Sequence, residues 1–439
     1  MRLHPVVPWW STPAYWASPV VILAMVYVWV SILQPFPPQP SWTAYVARTT
    51  DGFMYALPIA AAAAAWTIST RMRKSTAVLR AGVRWPVRIV WEYTWPLFGA
   101  CALGFISVLA LQSAIALPAP PNTSAALLLV VAVVQTVTAI SIGAALGMLL
   151  PAPLATGLAL FGLLAWAVYP NTDPENVSWR NITGYALFGC CDSFAYAPDW
   201  KALLGPLLVG LAAIAAFLFT AGGTHRSVTA PSSAVVLSAG VIAALTIVSG
   251  TGPTGATART PSDLVCRGTD PSICLFPEQW ASSNATIIEA SFRDAYRSAT
   301  DHDIDIPSRV SGAILHADGR GPDSETLVGV VDTAGRDTII KTYADAVIAS
   351  SRTCPESDWA EGQLPPETIS GYALAMLMGG DASGVLPDQA ISVNMEVGTA
   401  LSSQQVIDML AIRSVNDAES SARGWFTAQA ICADSDKDS

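Results

Sequence analysis

The chain has 439 residues, of which 52% are apolar and only 13% are charged, and this deficit of charge excludes an ordinary soluble protein. Residues 1–250 carry 11 Lys and Arg against 6 Asp and Glu, a net charge of +5, whereas residues 251–439 carry 12 against 27, a net charge of −15. We therefore predict an apolar membrane half and an acidic polar half, and the acidity excludes nucleic acid as a partner because phosphates would be repelled.

The N-terminal segment, residues 1–17, contains four aromatic residues broken up by three prolines. Such aromatic clusters are typical of the membrane–water boundary. A first apolar span is predicted over about residues 17–33. We interpret it as an uncleaved signal anchor, because only Arg2 precedes it and no small-x-small cleavage site follows.

Six further apolar segments approach the roughly 20 residues that a helix needs to cross a bilayer. The chain between the first two spans and the segment 169–200 are predicted to lie outside the cell. The six predicted spans cover about residues 52–69, 94–117, 124–150, 153–168, 201–221 and 232–249.

The segment 71–88 fixes the orientation of all these spans. It holds six basic residues and no acidic one, and a short Lys/Arg-rich connection between spans stays on the cytoplasmic side. Seven spans then place the N-terminus in the cytoplasm and the C-terminal half outside, in a bacterial cell membrane. The six basic residues are Arg71, Arg73, Lys74, Arg80, Arg84 and Arg88.

Beyond the bundle, residues 251–261 form a Gly- and Thr-rich segment that we interpret as a flexible linker. Residues 262–439 alternate helical and strand patterns, which predicts a mixed α/β extracytoplasmic domain after an all-α polytopic bundle over residues 1–250. The helices are expected from Ser282 or Ser283 to 297 and over 336–350, 366–379, 402–412 and 418–430, and the strands over 313–316, 327–331 and 391–397.

Six of the seven cysteines fall in segments predicted to lie outside, where disulfides form. Cys190 and Cys191 are adjacent and cannot easily pair with each other in normal geometry, so free buried thiols remain an alternative for them. The loop CRGTDPSIC is short and has a cysteine at each end. The predicted disulfides are Cys266–Cys274 and Cys354–Cys432.

The sequence predicts no enzyme, cofactor or metal site. It lacks the phosphate-binding loop of ATPases, the His-Glu-x-x-His zinc motif and the Gly-x-Ser-x-Gly elbow of hydrolases. The acidic run 301–305 departs from a calcium-binding loop, so a solvated turn is the preferred interpretation over a cation site.

The predicted spans contain no ionisable residue deep in the membrane, which argues against an ion-coupled transporter that works alone. Gly143-x-x-x-Gly147, with Gly157 and Gly162, offers small surfaces for close helix contact. These surfaces serve either packing within one bundle or a homodimer.

The layout of residues 1–225 resembles that of ABC-2-type transporter permeases: an interfacial N-terminal segment, a first span, an Arg-rich cytoplasmic segment and an outside loop before the sixth span. The resemblance implies a separate ATPase subunit that contacts the basic segment 71–88. It also implies that residues 179–196 form a partly re-entrant piece near the exit. The seventh span and the outside domain depart from the usual six-span unit.

Two functions are therefore expected as alternatives. The first is a permease-like subunit of an export system that acts with an ATPase subunit and pairs with a second copy. The other is a membrane-anchored sensor whose outside domain recognises a peptide, lipid or envelope component. For the basic segment itself, a role in topology alone is an equal alternative to a docking role.

The charge pattern predicts the side of the membrane on which the acidic half lies. An alkaline phosphatase reporter fused behind Ser439 is expected to be active, because this enzyme folds only outside the cytoplasm. A cytosolic reporter at that position would contradict the orientation, and so would tail cysteines that are all reduced in the native protein.

Overall fold

The chain divides into two compact units in a computed structural model, residues 1–257 and 258–439, and each is treated by itself. The boundary falls inside the segment interpreted as a linker. The residues that the structure describes are 9–33, 41–74, 86–115, 118, 121–172, 177–184, 194, 196–222, 226–251, 255–282, 284–304, 306, 308–311, 326–328, 336–350, 366–378, 391–392, 400–401, 417–424 and 427.

Within the described residues of the first unit, seven helices are long and apolar enough to cross a membrane, which agrees with the prediction of a multi-pass bundle. Two shorter helices, α2 and α7, lie between them. The helices are α1 (Pro13–Val28), α2 (Trp42–Asp51), α3 (Phe53–Lys74), α4 (Pro86–Ile115), α5 (Thr123–Leu149), α6 (Ala152–Thr172), α7 (Val177–Thr183), α8 (Trp200–Gly222) and α9 (Arg226–Val248).

The first helix begins earlier than the predicted span 17–33. Thr12 adopts an extended backbone and its hydroxyl accepts a hydrogen bond from the amide of Tyr15, at 3.4 Å. Pro13 occupies the first helical position, where a missing amide proton costs nothing. The proline that suggested an irregular segment is therefore part of the helix start.

One end of the bundle, here called the first face, collects the start of α1 and the ends of α3 and α5. The amide of Ala14 donates to the hydroxyl of Thr67 at 3.0 Å. The hydroxyl of Ser69 donates to the carbonyl of Leu150 at 3.0 Å, just after α5 ends. These bonds tie three helices together at the same level.

The opposite end, the second face, is held by a separate set of polar contacts. The hydroxyl of Thr43 in α2 donates to Asn122 Oδ1 at 2.8 Å, at the start of α5. Gln112 Nε2, near the end of α4, donates to the hydroxyl of Thr49 at 3.0 Å. Successive long helices thus run alternately between the two faces, so the chain begins at the first face and leaves α9 at the second.

Exposed aromatic side chains lie near both faces, as the two interfaces of a bilayer favour. The central turns of the long helices instead expose aliphatic residues, such as Ile106 and Val133. The exposed aromatic residues include Trp16, Trp66 and Trp91 near the first face and Tyr27, Tyr169 and Trp200 near the second.

The alanine run 60–65 makes α3 the central helix of the bundle, because every one of its side chains is buried. Gly143 and Gly147 of α5 lie directly on this run. A Cβ on Gly147 would lie 2.5 Å from the carbonyl oxygen of Ala65, and one on Gly143 would overlap the carbonyl of Ala61. The Gly-x-x-x-Gly pair therefore packs within one chain, as the first of its two interpretations proposed.

Helix α2 was not predicted, since its residues were expected to form only an outside connection. The helix is polar yet largely buried, because its hydroxyls bond to α4 and α5. Ser41 caps its start, accepting a hydrogen bond from the amide of Ala44 at 3.1 Å. Burial raises the pKa of Tyr45 in the same helix to about 12, which keeps its hydroxyl neutral.

Part of the predicted flexible linker is a strand. Strand β2 (Ala256–Ala258) pairs with β1 (Tyr196–Pro198), which precedes α8. The amide of Asp199 also donates to the carbonyl of Gly255 at 2.9 Å. The backbone at residues 255–258 therefore has hydrogen-bond partners in the segment before α8. The interpretation of residues 251–261 as a linker between two domains stays a prediction.

The second unit contains a few short strands beside helices. Strand β4 pairs antiparallel with β3 and parallel with β5, and β6 continues the sheet in parallel. A separate pair is β7 with β8. The strands are β3 (Val265–Arg267), β4 (Ser272–Leu275), β5 (Arg309–Ser311), β6 (Thr326–Val328), β7 (Ile391–Ser392) and β8 (Ala400–Leu401).

The helices of this unit enclose a hydrophobic core of their own, in which the rings of Phe292 and Tyr343 meet edge to face at 5.0 Å between centroids. Helix α11 begins after Asn284. The hydroxyl of Ser282 donates to the carbonyl of Gln279, so Ser282 does not cap this helix as predicted. The helices are α10 (Pro277–Trp280), α11 (Ala285–Asp301), α12 (Arg336–Ser350), α13 (Pro366–Leu377) and residues 417–424.

Some predicted elements of this unit lie outside the described residues. They are Ser283 as a cap, the strand over 313–316, the helix over 402–412, most of the strand over 391–397 and the end of the helix over 418–430.

The contact between α5 and α3 yields a stability prediction. Gly143→Leu is expected to destabilise the solubilised protein by about 2 kcal/mol or more, because the new side chain must displace the backbone of α3. Gly157→Leu is the matched control. A Cβ at Gly157 meets no atom within 4 Å, so this variant should change stability by less than about 0.5 kcal/mol. Thermal unfolding followed by circular dichroism measures both, and equal melting temperatures would contradict the close contact.

Candidate functional site

The first unit contains a cavity of about 230 Å³, which we call the Gln135 cleft. Five consecutive helices, α5 to α9, contribute to its walls. Almost all of the lining is aliphatic or aromatic, as in most small-molecule sites. Representative lining residues are Gln135, Ile142, Leu163, Ile182, Val209 and Val241.

Gln135 lies near the midpoint of the 27-residue helix α5, and only 7% of its surface is exposed. Its Nε2 donates to the carbonyl oxygen of Thr183 at 3.1 Å. Its Oε1 is buried and has no hydrogen-bond partner among the residues that the structure describes. Because an unsatisfied polar atom in an apolar interior costs on the order of 1–3 kcal/mol, this acceptor marks the cleft as a candidate site.

Thr138 adds a second polar atom to the same wall. It lies three residues after Gln135, so the two side chains share one face of α5. Its hydroxyl is also buried without a hydrogen bond within the described part of the chain. Gly210 of α8 lies close by, since a Cβ there would come within 2.8 Å of the Thr138 Oγ1.

Helix α7 closes the cleft towards the second face and does not cross the bundle. With seven residues it is about 10 Å long. The Nδ2 of Asn181 donates to the hydroxyl of Thr251 at 2.5 Å, just beyond the end of α9. The last residue of α7, Thr183, instead accepts a hydrogen bond from Gln135, which lies at the middle of α5. The helix therefore enters from the second face and ends at the depth of the cleft.

The turn after α7 requires glycine. Gly184 has a φ of +73°, in the left-handed region that residues with a Cβ rarely adopt. A Cβ there would overlap Gln135 Nε2 and lie 2.9 Å from the Cβ of Pro206 in α8. The tight contact holds the end of α7 against both α5 and α8.

The cleft reaches the outer surface of the bundle beside α6 and α9. Gly162 of α6 lies in its lining, is exposed, and a Cβ there would meet no atom within 4 Å. Helix α9 packs on α8 and α7 and exposes Val235 and Ile242 on its other side. In a bilayer this surface is covered by lipid, so the cleft is accessible from the hydrocarbon.

A second cavity of about 280 Å³ lies between α3, α4 and α5 and differs in chemistry. It is lined by Phe53, Phe105 and the buried free thiol of Cys101, among other apolar groups. Its one hydroxyl, on Thr136, donates to the carbonyl of Ala132 at 3.0 Å. The described lining of this cavity contains no amide side chain, whereas the Gln135 cleft contains an amide whose oxygen has no partner among the described residues.

Two of the predicted basic residues, Arg71 and Arg88, lie near the ends of two helices at the first face. Arg71 Nη2 donates to the carbonyl of Ser11 at 3.1 Å, which ties the N-terminal segment to α3. Arg88 lies at the start of α4, and its Nε is 3.3 Å from a carboxylate oxygen of Glu92. Arg73 and Lys74 end α3, but their side chains lie outside the described part of the chain. Arg80 and Arg84 lie outside it entirely.

The predicted disulfide between Cys266 and Cys274 is present, with an S–S distance of 2.02 Å, and joins β3 to β4. The cysteines at 190, 191, 354 and 432 lie outside the described residues, so the second predicted disulfide stays a prediction.

The acidic run after α11 forms a helix end. The backbone carbonyl of His302 accepts a hydrogen bond from Arg423 Nη2 at 2.8 Å. The ring Nδ1 of His302 is 3.7 Å from Glu419 Oε2. Among the described residues no group of three His, Cys, Asp or Glu side chains could hold a metal ion.

The sequence reasoning missed Gln135 and Thr138, because it searched the spans for ionisable residues only. A signal was present: one glutamine lies at the middle of a helix whose other polar side chains are all hydroxyls and which carries no charge. The bonding state of the Gln135 side chain is not visible in the local sequence, because its Nε2 donates to Thr183, 48 residues away in the chain.

The close packing at Gly184 can be tested with two alanine substitutions. Both Gly184→Ala and Gly250→Ala place a Cβ at positive φ, which costs about 1–2 kcal/mol. Gly250 faces open space, whereas Gly184 faces Gln135 and Pro206, so Gly184→Ala should cost roughly 1–3 kcal/mol more. Equal thermal unfolding temperatures for the two variants would contradict the anchoring of α7.

No protein-family model, no curated protein and no solved structure matches this chain. Similarity therefore assigns neither a family nor an activity to it, and the function is inferred from the described geometry.

Proposed function

We propose that the chain is a permease-like membrane subunit of an export system, which handles a small and largely apolar molecule in the Gln135 cleft. The observation that carries this proposal is the buried Gln135 acceptor, which belongs to a residue at the middle of a spanning helix that lines an incompletely filled cavity. A bundle that served only as an anchor would gain stability by filling this space and removing the amide.

The short helix α7 supports the same proposal. Non-spanning segments at membrane depth occur where they line a cavity or are buried in protein, and α7 does both. Substrate sites of many transporters lie near the bilayer midplane and are formed by interrupted helices. The end of α7 at the level of Gln135 fits this arrangement.

The energy for transport is proposed to come from a separate ATPase subunit. No Asp, Glu, Lys, Arg or His lies in the middle of the seven long helices that the structure describes, and ion-coupled carriers usually keep such a residue there for the coupling ion. The basic residues at the first face are the proposed contact with that subunit. The orientation that follows places the first face in the cytoplasm and the acidic α/β domain outside.

A membrane-anchored sensor is the second candidate, and the separate core of the C-terminal unit favours it. That core is formed entirely by residues 273–422. In this case the outside domain binds the ligand. The net charge of −15 over residues 251–439 favours a cationic peptide. A sensor would bind its ligand equally well after Gly162→Leu narrows the cleft, and it would need no ATPase.

The proposed ATPase contact is tested by charge reversal in the native membrane. The triple variant Arg73→Glu, Lys74→Glu and Arg80→Glu is expected to lose an ATP-binding subunit that co-purifies with the unchanged protein. The three reversals lower the net charge of the segment 71–88 from +6 to 0, which removes its electrostatic complementarity to an acidic contact. Mass spectrometry identifies the subunit by its phosphate-binding loop. Arg71 is kept unchanged, since it also bonds to Ser11.

A matched control reverses three exposed basic residues of the second unit, Arg267, Arg297 and Arg309. This variant should retain the ATPase subunit in full. Retention of the subunit by both variants, or its absence from the unchanged protein, would contradict the transport proposal and favour the sensor.

A further inference from the structure

We infer that the Gln135 cleft binds an uncharged, largely apolar molecule that carries one hydroxyl group, with a phenol or compact alcohol as the fitting class. The inference rests on the proposed function, because it names the substrate class of the same cleft. Its test measures binding alone, so it can fail while the ATPase association holds.

The hydroxyl follows from the two polar atoms in the wall of the cleft. Gln135 Oε1 can only accept a hydrogen bond, and its Nε2 is already used by Thr183. Thr138 Oγ1 can donate as well as accept. A hydroxyl group satisfies both, since it donates to the amide oxygen and accepts from the threonine.

The absence of charge follows from the rest of the lining. None of the described residues that line the cleft is ionisable. A charged ligand in this apolar surrounding would lose its hydration without gaining a counter-charge, which costs far more than one hydrogen bond returns. The ligand is therefore neutral at physiological pH.

The volume limits the size of the ligand. A dry apolar cavity of about 150 Å³ accommodates benzene, so about 230 Å³ accommodates a molecule somewhat larger than one ring. The exposed position of Gly162 beside the cleft lets such a molecule enter from the hydrocarbon phase, where an apolar alcohol already concentrates.

A pair of probes with the same ring system isolates the hydrogen bond. 2-Naphthol carries a hydroxyl donor, whereas 2-methoxynaphthalene has the same rings and an acceptor oxygen but no donor. Binding of each to the full chain in lipid nanodiscs is measured by fluorescence titration, with empty nanodiscs subtracted. We expect saturable binding of 2-naphthol and about tenfold weaker binding of the ether, because one hydrogen bond to Gln135 is lost.

Three variants assign this preference to the cleft. Gln135→Leu is expected to bind both probes equally, about tenfold more weakly than the unchanged protein binds 2-naphthol. Gln112→Leu is the matched control: it removes another buried amide, bonded to Thr49, that is not part of the cleft and should keep the preference. Gly162→Leu should weaken both probes alike, because its side chain fills the cleft without a clash.

Equal affinity of the unchanged protein for both probes would overturn the inference. Binding no greater than that of empty nanodiscs would do the same, as would a preference for 2-naphthol that survives Gln135→Leu. If Gln135→Leu does not fold, Gly162→Leu decides the location, since binding that it leaves unchanged places the probes elsewhere.

Discussion

The close approach of α5 to α3 is the contact on which the rest of the bundle depends. In hydrocarbon, helices gain little from apolar burial and associate through dispersion contacts and hydrogen bonds. The alanine run 60–65 and the two glycines of α5 bring the helix backbones together, and this fixes the direction in which α5 faces. Gln135 precedes Gly143 by about two turns and lies roughly 80–120° around α5 from the two glycines. On this flank of the helix it bonds to Thr183, the last residue of α7.

The polar contacts of the bundle have distinct roles at different depths. Those at the two faces join neighbouring helix ends, as Ser69 does with Leu150 and Thr43 with Asn122. The contact of Gln135 with Thr183 lies deeper and holds a short helix by one end. Gln112 and Gln135 each keep a side-chain oxygen without a partner among the described residues, and of the two Gln135 lines the cleft. The same residue thus positions α7 and provides the recognition group that we propose for a ligand.

Composition and apolar run length predicted the seven spans, because these patterns depend only on the local sequence. The boundaries shifted by several residues where capping decided them, as at Thr12 and Pro13. Helix α2 was missed because its threonines look like those of an exposed loop, and their partners Gln112 and Asn122 are more than 60 residues away. The cleft was missed for a related reason, since a cavity is a property of five helices together.

The peripheral position of α9 has a consequence for how the protein is made. Among the described helices of the first unit, α9 is buried mainly by α8 and α7, whereas α3 touches four other spanning helices. Biosynthesis completes α9 last, so the preceding helices must assemble in the lipid before their final neighbour is inserted. Leu237 and Val241 then supply one wall of the cleft, and a nascent chain that stops at residue 222 would present that pocket as an open groove to the bilayer.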